Sequence, residues 1–151
     1  MSDTSVKEPS TSQADRGKGP RVMGLIVAIV GVVLMLAGAV TYFTVSSTLK
    51  NEKITTSADA CLPGSAVSGP FTAYCEAMVI ATHSNEATEG KTYAELDRED
   101  PLRQTAMTAS FLRASLFTSV VAFGVSALVV LLGALFVVTG VSLRMLGRTR
   151  E

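Results

Sequence analysis

Hydrophobic positions are concentrated in two long stretches of the chain. Residues 22–49 carry no charged side chain in 28 positions, and residues 114–143 carry none in 30. A helix needs about 20 mostly apolar residues to cross the hydrocarbon core of a bilayer. The pattern therefore predicts an all-α membrane protein, an antiparallel two-helix transmembrane hairpin with spans at 22–49 and 114–143.

The segment between the two stretches, residues 50–113, follows a helical period. Pro70 suits the first turn of a helix, and Gly90 suits a break after it. Between them, side chains of one predicted face recur at offsets 0, 3, 4, 7, 8 and 11. The spacing predicts an amphipathic helix at about 70–86 with a face formed by Phe71, Tyr74, Cys75, Met78, Val79 and Thr82.

A second helix start is predicted at "TYAE", residues 92–95. Thr92 and Glu95 have the spacing of a capping box, and a helix opened there has to end before Pro101, which predicts a short helix at 92–99. Asp100 then suits the N-cap of a further helix with Pro101 at its first position. No helix breaker follows before Gly124, so this helix, at 101–113, is expected to continue through the second span to residue 143.

Small residues recur every seven positions in both spans. Seven residues make about two helical turns, so each set lies along one side of its helix and allows a second helix to approach closely. We expect the two sets to face each other in a left-handed pair, with binding of another protein by one set as the open alternative. The sets are Gly24, Gly31 and Gly38 in the first span, and Ser119, Ser126, Gly133 and Gly140 in the second.

Charge predicts the orientation in the membrane. Basic residues near the ends of spans tend to stay in the cytoplasm, and both tails, 1–21 and 144–151, are basic next to the spans. Residues 50–113 hold nine acidic and six basic residues, a net charge of −3. We therefore expect a multi-pass cell-membrane protein with both termini cytoplasmic and the central segment outside. The polar N-terminal tail, 1–21, is predicted to be disordered.

A cleaved signal peptide is the alternative for the first apolar stretch. Residues 58–60, "ADA", resemble a cleavage site. The apolar region of a signal peptide has about 7–15 residues and ends next to its cleavage site, whereas this stretch is longer and ends well before Ala58. The length of the apolar stretch and its distance from Ala58 favour a retained transmembrane helix over a cleaved signal peptide.

Two cysteines, Cys61 and Cys75, lie in the central segment. In an oxidising compartment an isolated pair is most often a disulfide, and this one would close a 15-residue loop worth about 3 kcal/mol. The alternative is that both are small core residues. Their spacing, with a single distant histidine, His83, matches no zinc site.

Catalytic and cofactor motifs are missing from the sequence. It has no serine or cysteine triad with independent support, no glycine-rich phosphate loop and no basic aromatic patch for nucleic acid. Apart from the phenol of Tyr42, the spans hold no ionisable residue, which argues against a carrier or pump. We expect no enzyme activity, no cofactor, no metal site and no binding to nucleic acid.

Residues 94–104, "AELDREDPLRQ", form the most highly charged stretch. Paired carboxylates can serve glycoside hydrolysis or bind a divalent cation, but a catalytic pair needs a cleft that a segment of this size has little room to build. Glu95 and Asp100 already have predicted capping roles. We therefore predict a charged elbow that presents Asp97, Arg98 and Glu99 to a partner.

Three strings, "GPFTAY", "EATEGKTYAELDREDPLR" and "ASFLRASLFTSVVAFGV", resemble the shared core of a family of small actinobacterial membrane proteins. The resemblance covers residues 50–125 and implies two spans with a loop of constant length outside. Some members carry an automatic label as aromatic ring-opening dioxygenases. This chain has one histidine and lacks the two needed for a non-haem iron site, so its sequence does not support that label.

Two functions fit these predictions. The first is a non-enzymatic accessory or assembly subunit of a larger envelope or respiratory membrane complex, with the lipid bilayer and other membrane-protein subunits as partners. The second is an extracytoplasmic sensor or small-ligand binding module, with the amphipathic helix lining a small pocket.

Overall fold

The computed structural model describes residues 18–148, so most of the tail predicted to be disordered lies outside the described residues. This part of the chain forms three helices: α1 (Lys18–Asn51), α2 (Pro70–Ala87) and α3 (Leu102–Arg148). An isolated antiparallel bridge between Thr55 and Ala66 lies in the loop before α2. The prediction of an all-helical fold with two membrane-length helices is confirmed.

Both long helices have the length and composition of membrane spans. Mean hydropathy reaches 2.7 in α1 and 2.8 in α3, and only 17% of each most apolar window is buried within the chain. Side chains such as Leu36 and Val138 are more than 60% exposed. So much exposed apolar surface is unfavourable in water, which suggests that both helices are inserted in a membrane.

The described residues fall into two compact units. The first contains residues 18–34 and 132–148. Its two helical segments run antiparallel with their backbones in contact: a Cβ at Gly31 would lie 2.6 Å from the carbonyl oxygen of Gly133, and one at Gly140 would lie 2.5 Å from that of Gly24. Only hydrogen fits at these positions, and the close approach follows from the small residues predicted to line each helix.

The second unit, residues 35–131, contains the end of α1, the whole of α2 and the first part of α3. Here a Cβ at Gly38 would lie 2.8 Å from the carbonyl oxygen of Ser126, which is itself 2% exposed. The structure thus brings together six of the seven predicted small residues in close helix contacts. Ser119 is half-buried, and its hydroxyl donates to the carbonyl of Ser115 at 3.1 Å.

The core of the second unit lies where α2 meets both long helices. Ala73 and Ala77 of α2 are fully buried and are small enough to allow a close approach between helices. Larger apolar side chains of α1, α3 and the intervening loop complete this cluster: Leu49, Val67, Leu116 and Phe123.

The predicted apolar face of α2 is only partly correct. Cys75 and Val79 are buried, but Phe71, Tyr74 and Met78 are exposed by 78%, 47% and 45%. The buried side of α2 is rotated towards Ala73 and Ala77. Their small side chains let the helix backbones approach closely, and this close approach decides which side packs more than the hydrophobicity of the side chains does. The buried residues of α2 are Ala73, Cys75, Glu76, Ala77 and Val79.

The short helix predicted at 92–99 is replaced by two successive turns, closed by hydrogen bonds from the Glu95 N–H to the Thr92 carbonyl and from the Asp100 N–H to the Asp97 carbonyl. Glu95 accepts the Thr92 N–H at 2.7 Å, which is one half of the predicted capping box. Eight residues ahead of a proline gain too few helical hydrogen bonds to offset the cost of nucleation.

The start of α3 agrees with the prediction. The Asp100 carboxylate accepts the N–H of Leu102 at 2.9 Å, so Asp100 is the N-cap and Pro101 opens the first turn. From there α3 continues for 47 residues to Arg148, a few residues beyond the predicted end.

The end of α2 provides a test of local backbone strain. The Gly90 N–H donates to the Asn85 carbonyl at 2.7 Å, and Glu89 just before it has a left-handed φ of 53°. Glycine favours this conformation, so Glu89→Gly should raise the free energy of unfolding by about 1 kcal/mol. Glu86→Gly, at an ordinary helical position, should lower it by about 1 kcal/mol. Thermal unfolding in detergent measures both changes in stability. Destabilisation by both variants would contradict the conclusion that the backbone at Glu89 is strained.

Candidate functional site

A groove of about 480 Å³ lies between α2 and α3 in the second unit. One wall comes from the last three turns of α2, the other from the first three turns of α3, and Ser57 closes one side. Polar and apolar side chains are mixed along it: Ser57, Glu76, Ile80, His83, Ser84, Ala87, Gln104, Thr105, Thr108, Ala109 and Leu112.

Glu76 is the most buried charged residue of the groove. Its side chain is 7% exposed. The backbone N–H of Ser57 donates to Oε2 at 2.9 Å, and the Ser57 hydroxyl donates to Oε1 at 3.1 Å. Within residues 18–148, the hydrogen-bonding partner of this carboxylate is therefore a neutral residue.

His83 lies at the rim of the groove, where its Nε2 is 2.7 Å from a carboxylate oxygen of Asp59. Both side chains are about half exposed. Asp59 is 24 residues away in sequence, and no local pattern indicated this pair. In the described part of the chain, no group of three or more histidine, cysteine, aspartate or glutamate side chains is arranged to hold a metal ion.

The loop that carries Ser57 is held by the predicted disulfide. Cys61 and Cys75 are joined, with their Cα atoms 5.4 Å apart. The bond ties the loop to the buried side of α2, where Cys75 packs with Ala60 and Val79. The disulfide therefore helps to position the donors that hold Glu76.

Thr56, next to Ser57, adds a second restraint to this loop. Its side chain is 4% exposed, and its hydroxyl donates to the Leu62 carbonyl. The Thr56 hydroxyl oxygen also accepts the Ser65 N–H at 2.9 Å, and the Gly64 N–H donates to the Thr56 carbonyl at 3.1 Å. The sequence contained no sign that Thr56 restrains the loop, because no local pattern distinguishes it from other threonines in polar loops.

The charged elbow is the second candidate site. Asp97, Arg98 and Glu99 are exposed and border a shallow polar depression with Asp100 and Pro101. Within residues 18–148, the side chains of Asp97, Arg98 and Glu99 form no hydrogen bond or ion pair. Their charges remain available to an external partner.

Neighbouring residues brace this elbow. The guanidinium of Arg103 donates to the carbonyl of Leu96 and lies 4.0 Å from the ring centre of Tyr93. Glu95 accepts the N–H and the hydroxyl of Thr92, and the N–H bond first, then the hydroxyl bond, lowers the pKa of the Glu95 carboxyl. Leu96, 3% exposed, anchors the turn in the second unit.

Together these features define an all-helical protein with two membrane-length helices and a small disulfide-linked central segment. A scan against protein-family models, a search of curated proteins and a search of solved structures each found no match for the chain. The groove and the elbow are therefore the features that indicate function.

Proposed function

We propose that this protein is a membrane-anchored, non-enzymatic binding module that takes a small ligand in the groove between α2 and α3. The observation that supports the proposal is Glu76, a nearly buried carboxylate at the groove whose hydrogen bonds come from neutral Ser57. The groove, about 480 Å³, falls within the usual range of ligand pockets, which is roughly 300–1,000 Å³.

The chemistry of the groove favours a cationic ligand with a short apolar body. A carboxylate offers about four acceptor positions, and Ser57 fills two of them. A buried charge is costly unless it is paired, so an ammonium group that reaches Glu76 gains both a hydrogen bond and charge neutralisation. Ile80 and Leu112 supply apolar surface for the rest of the ligand.

The proposal places the groove outside the cytoplasm. Disulfides persist in oxidising compartments, which supports this placement for the segment that contains Cys61 and Cys75. The basic residues beside the spans support cytoplasmic termini, as the positive-inside rule describes. The resemblance to small actinobacterial two-span membrane proteins favours the same topology.

Thermal unfolding of the full-length protein in detergent tests the ligand class, with hexylamine and agmatine as cationic probes and hexanol as the neutral control. At about 100 times its Kd, a ligand stabilises the folded state by about 2.7 kcal/mol, so the amines should raise Tm in proportion to the logarithm of their concentration. Hexanol should not.

Glu76→Gln is the informative variant because its amide oxygen keeps one acceptor for Ser57 while the charge is lost. It should remain folded and lose the amine response. Glu86→Gln, on the exposed side of α2, removes the same charge and should keep the response. Equal amine shifts in the wild type and Glu76→Gln, or none at millimolar amine in the wild type, would refute the proposal.

A second function, accessory or assembly subunit of a larger envelope or respiratory membrane complex, is favoured by the elbow. Asp97, Arg98 and Glu99 project from a braced turn without side-chain partners among the described residues. Exposed charges of this kind steer and orient protein partners. In this role the three residues dock to another membrane-protein subunit.

Affinity purification of the tagged protein in mild detergent tests this second function. Replacing Asp97, Arg98 and Glu99 with alanine should reduce copurifying subunits while α-helix content and membrane insertion stay unchanged. A matched control replaces Lys50, Glu52 and Glu86, which are also exposed and have the same net charge. Equal recovery of partners with both triple variants would rule out docking through the elbow.

A further inference from the structure

One edge of α2 presents large apolar side chains to the surroundings of the protein. Phe71 is 78% exposed, Tyr74 47% and Met78 45%, and they follow one another along one side of the helix. An exposed aromatic edge of this kind marks a surface that contacts another apolar phase or partner. The position of this edge relative to the spans indicates whether lipid or a protein partner covers it.

Contacts at the two ends of α2 give its direction. At the start of α2, the ring of Tyr74 packs edge-on against Phe117 of α3, with 6.1 Å between the ring centres. At its end, Ala87 lines the groove together with Gln104, close to the start of α3. Helix α2 therefore runs antiparallel to the first part of α3, and Phe71 lies beyond Tyr74 in the direction of Phe123.

The start of α2 is also tied to α1. The hydroxyl of Ser46 donates to the Ser68 carbonyl at 2.7 Å, two residues before Pro70. Ser46 lies in the last two turns of α1, which ends at Asn51. Both long helices thus hold this end of α2 beside the apolar stretches of the chain.

A count along the sequence places the outer edge of the hydrocarbon core. About 20 helical residues cross the hydrocarbon core. Counted forward from the residue after Arg21, the first span leaves the core after residue 41. Counted backward from the residue before Arg144, the second span leaves it after residue 124. The next residues are Tyr42 and Phe123. Their ring centres lie 4.8 Å apart, so two independent counts end at one aromatic contact. Tyrosine, the residue type at position 42, is enriched at this depth of a bilayer.

The same helical rise gives the depth of the α2 edge. Phe117 lies six residues beyond Phe123, about 9 Å outside the hydrocarbon at 1.5 Å per residue. Tyr74, in contact with Phe117, shares that level, and Phe71 is almost one turn nearer the membrane, at about 5 Å. The headgroup layer is about 5–7 Å thick on each side of a bilayer.

We propose that Phe71 is seated in the lipid headgroup layer, with Tyr74 just outside that layer and Met78 farther out, so that lipid covers the membrane-proximal end of this edge of α2. The exposed edge continues the apolar surface of the second span through the Tyr74–Phe117 contact. Lipid contact at this edge holds α2, and with it the wall of the groove, at a set distance from the bilayer.

The chain contains no tryptophan, so single tryptophan variants report depth without background fluorescence. Phe71→Trp, Met78→Trp and Phe111→Trp are compared in phosphatidylcholine nanodiscs with and without lipids brominated near the top of the acyl chains. Phe111 is the matched control, because it is 67% exposed on a helix but lies twelve residues, or about 18 Å, beyond Phe123.

Brominated lipid should quench Phe71→Trp severalfold more strongly than Phe111→Trp, and Met78→Trp should resemble the control. Aqueous iodide should show the opposite order. Equal lipid quenching at positions 71 and 111 would overturn the proposal, and so would full access of iodide to position 71. Protection of position 71 from both quenchers would assign the edge to a second copy of the chain instead. Tyr74→Trp provides the same comparison if Phe71→Trp does not fold.

Discussion

Gly31→Leu should lower the free energy of unfolding of the protein by about 3 kcal/mol, the upper end of the range for overpacking. A Cβ at this position would lie 2.6 Å from the Gly133 carbonyl oxygen and 2.8 Å from the Val137 backbone nitrogen. Neither backbone atom can rotate away, so the leucine has to separate the two helical segments of the first unit. Thermal unfolding in detergent, followed by circular dichroism, measures the loss.

Gly124→Leu is the matched control for this prediction. Gly124, like Gly31, lies in a long apolar helix, but it is exposed. In the described part of the chain, a Cβ built there meets no atom within 4 Å beyond its own helix backbone. The substitution should leave stability unchanged or raise it slightly, because leucine favours a helix more than glycine does. Similar losses from both variants would mean that close packing of the helices contributes little to stability.

Removing the disulfide should lower the free energy of unfolding by about 3 kcal/mol, since its loss frees a 15-residue loop in the unfolded chain. The double variant Cys61→Ser, Cys75→Ser tests this value by thermal unfolding. A reducing agent should lower the Tm of the wild type to that of the variant and leave the variant unchanged. Equal Tm values for the oxidised wild type and the double variant would show that the loop is held by other contacts, chiefly those of Thr56.

Loss of the disulfide should also affect the groove. Ser57 lies four residues before Cys61, and its two hydrogen bonds hold the Glu76 carboxylate. A loop released from α2 keeps these donors in place for a smaller fraction of the time. The amine response proposed for the groove should therefore weaken in the cysteine variant, even at temperatures where the helices remain folded.

The long-range features that the sequence predicted correctly have strong, repetitive signals. Uninterrupted apolar runs of 28 and 30 residues indicate two membrane-length helices without reference to anything else in the chain. The seven-residue recurrence of small side chains indicated which sides of those helices meet. Asp100 before Pro101 marked the start of α3 because capping depends on adjacent residues only.

The predictions that failed concern places where two weak local preferences competed with packing. Phe71, Tyr74 and Met78 looked like a core face, yet Ala73 and Ala77 are buried because they let α2 approach its neighbours most closely. Thr92 and Glu95 looked like a helix start, yet buried Leu96, whose carbonyl accepts from the Arg103 guanidinium, holds turns instead.

The sequence by itself determined the helical class, the two apolar helices, their small-residue surfaces and the cysteine pair, because each of these depends on composition or on spacing along one helix. Only the tertiary structure decided the groove, the pairing of His83 with Asp59 and the burial of Glu76 against Ser57. These contacts join residues 19 and 24 positions apart through an irregular loop. No periodic pattern encodes such contacts, because the path of that loop is set by the disulfide and by the surface of α2 on which it packs.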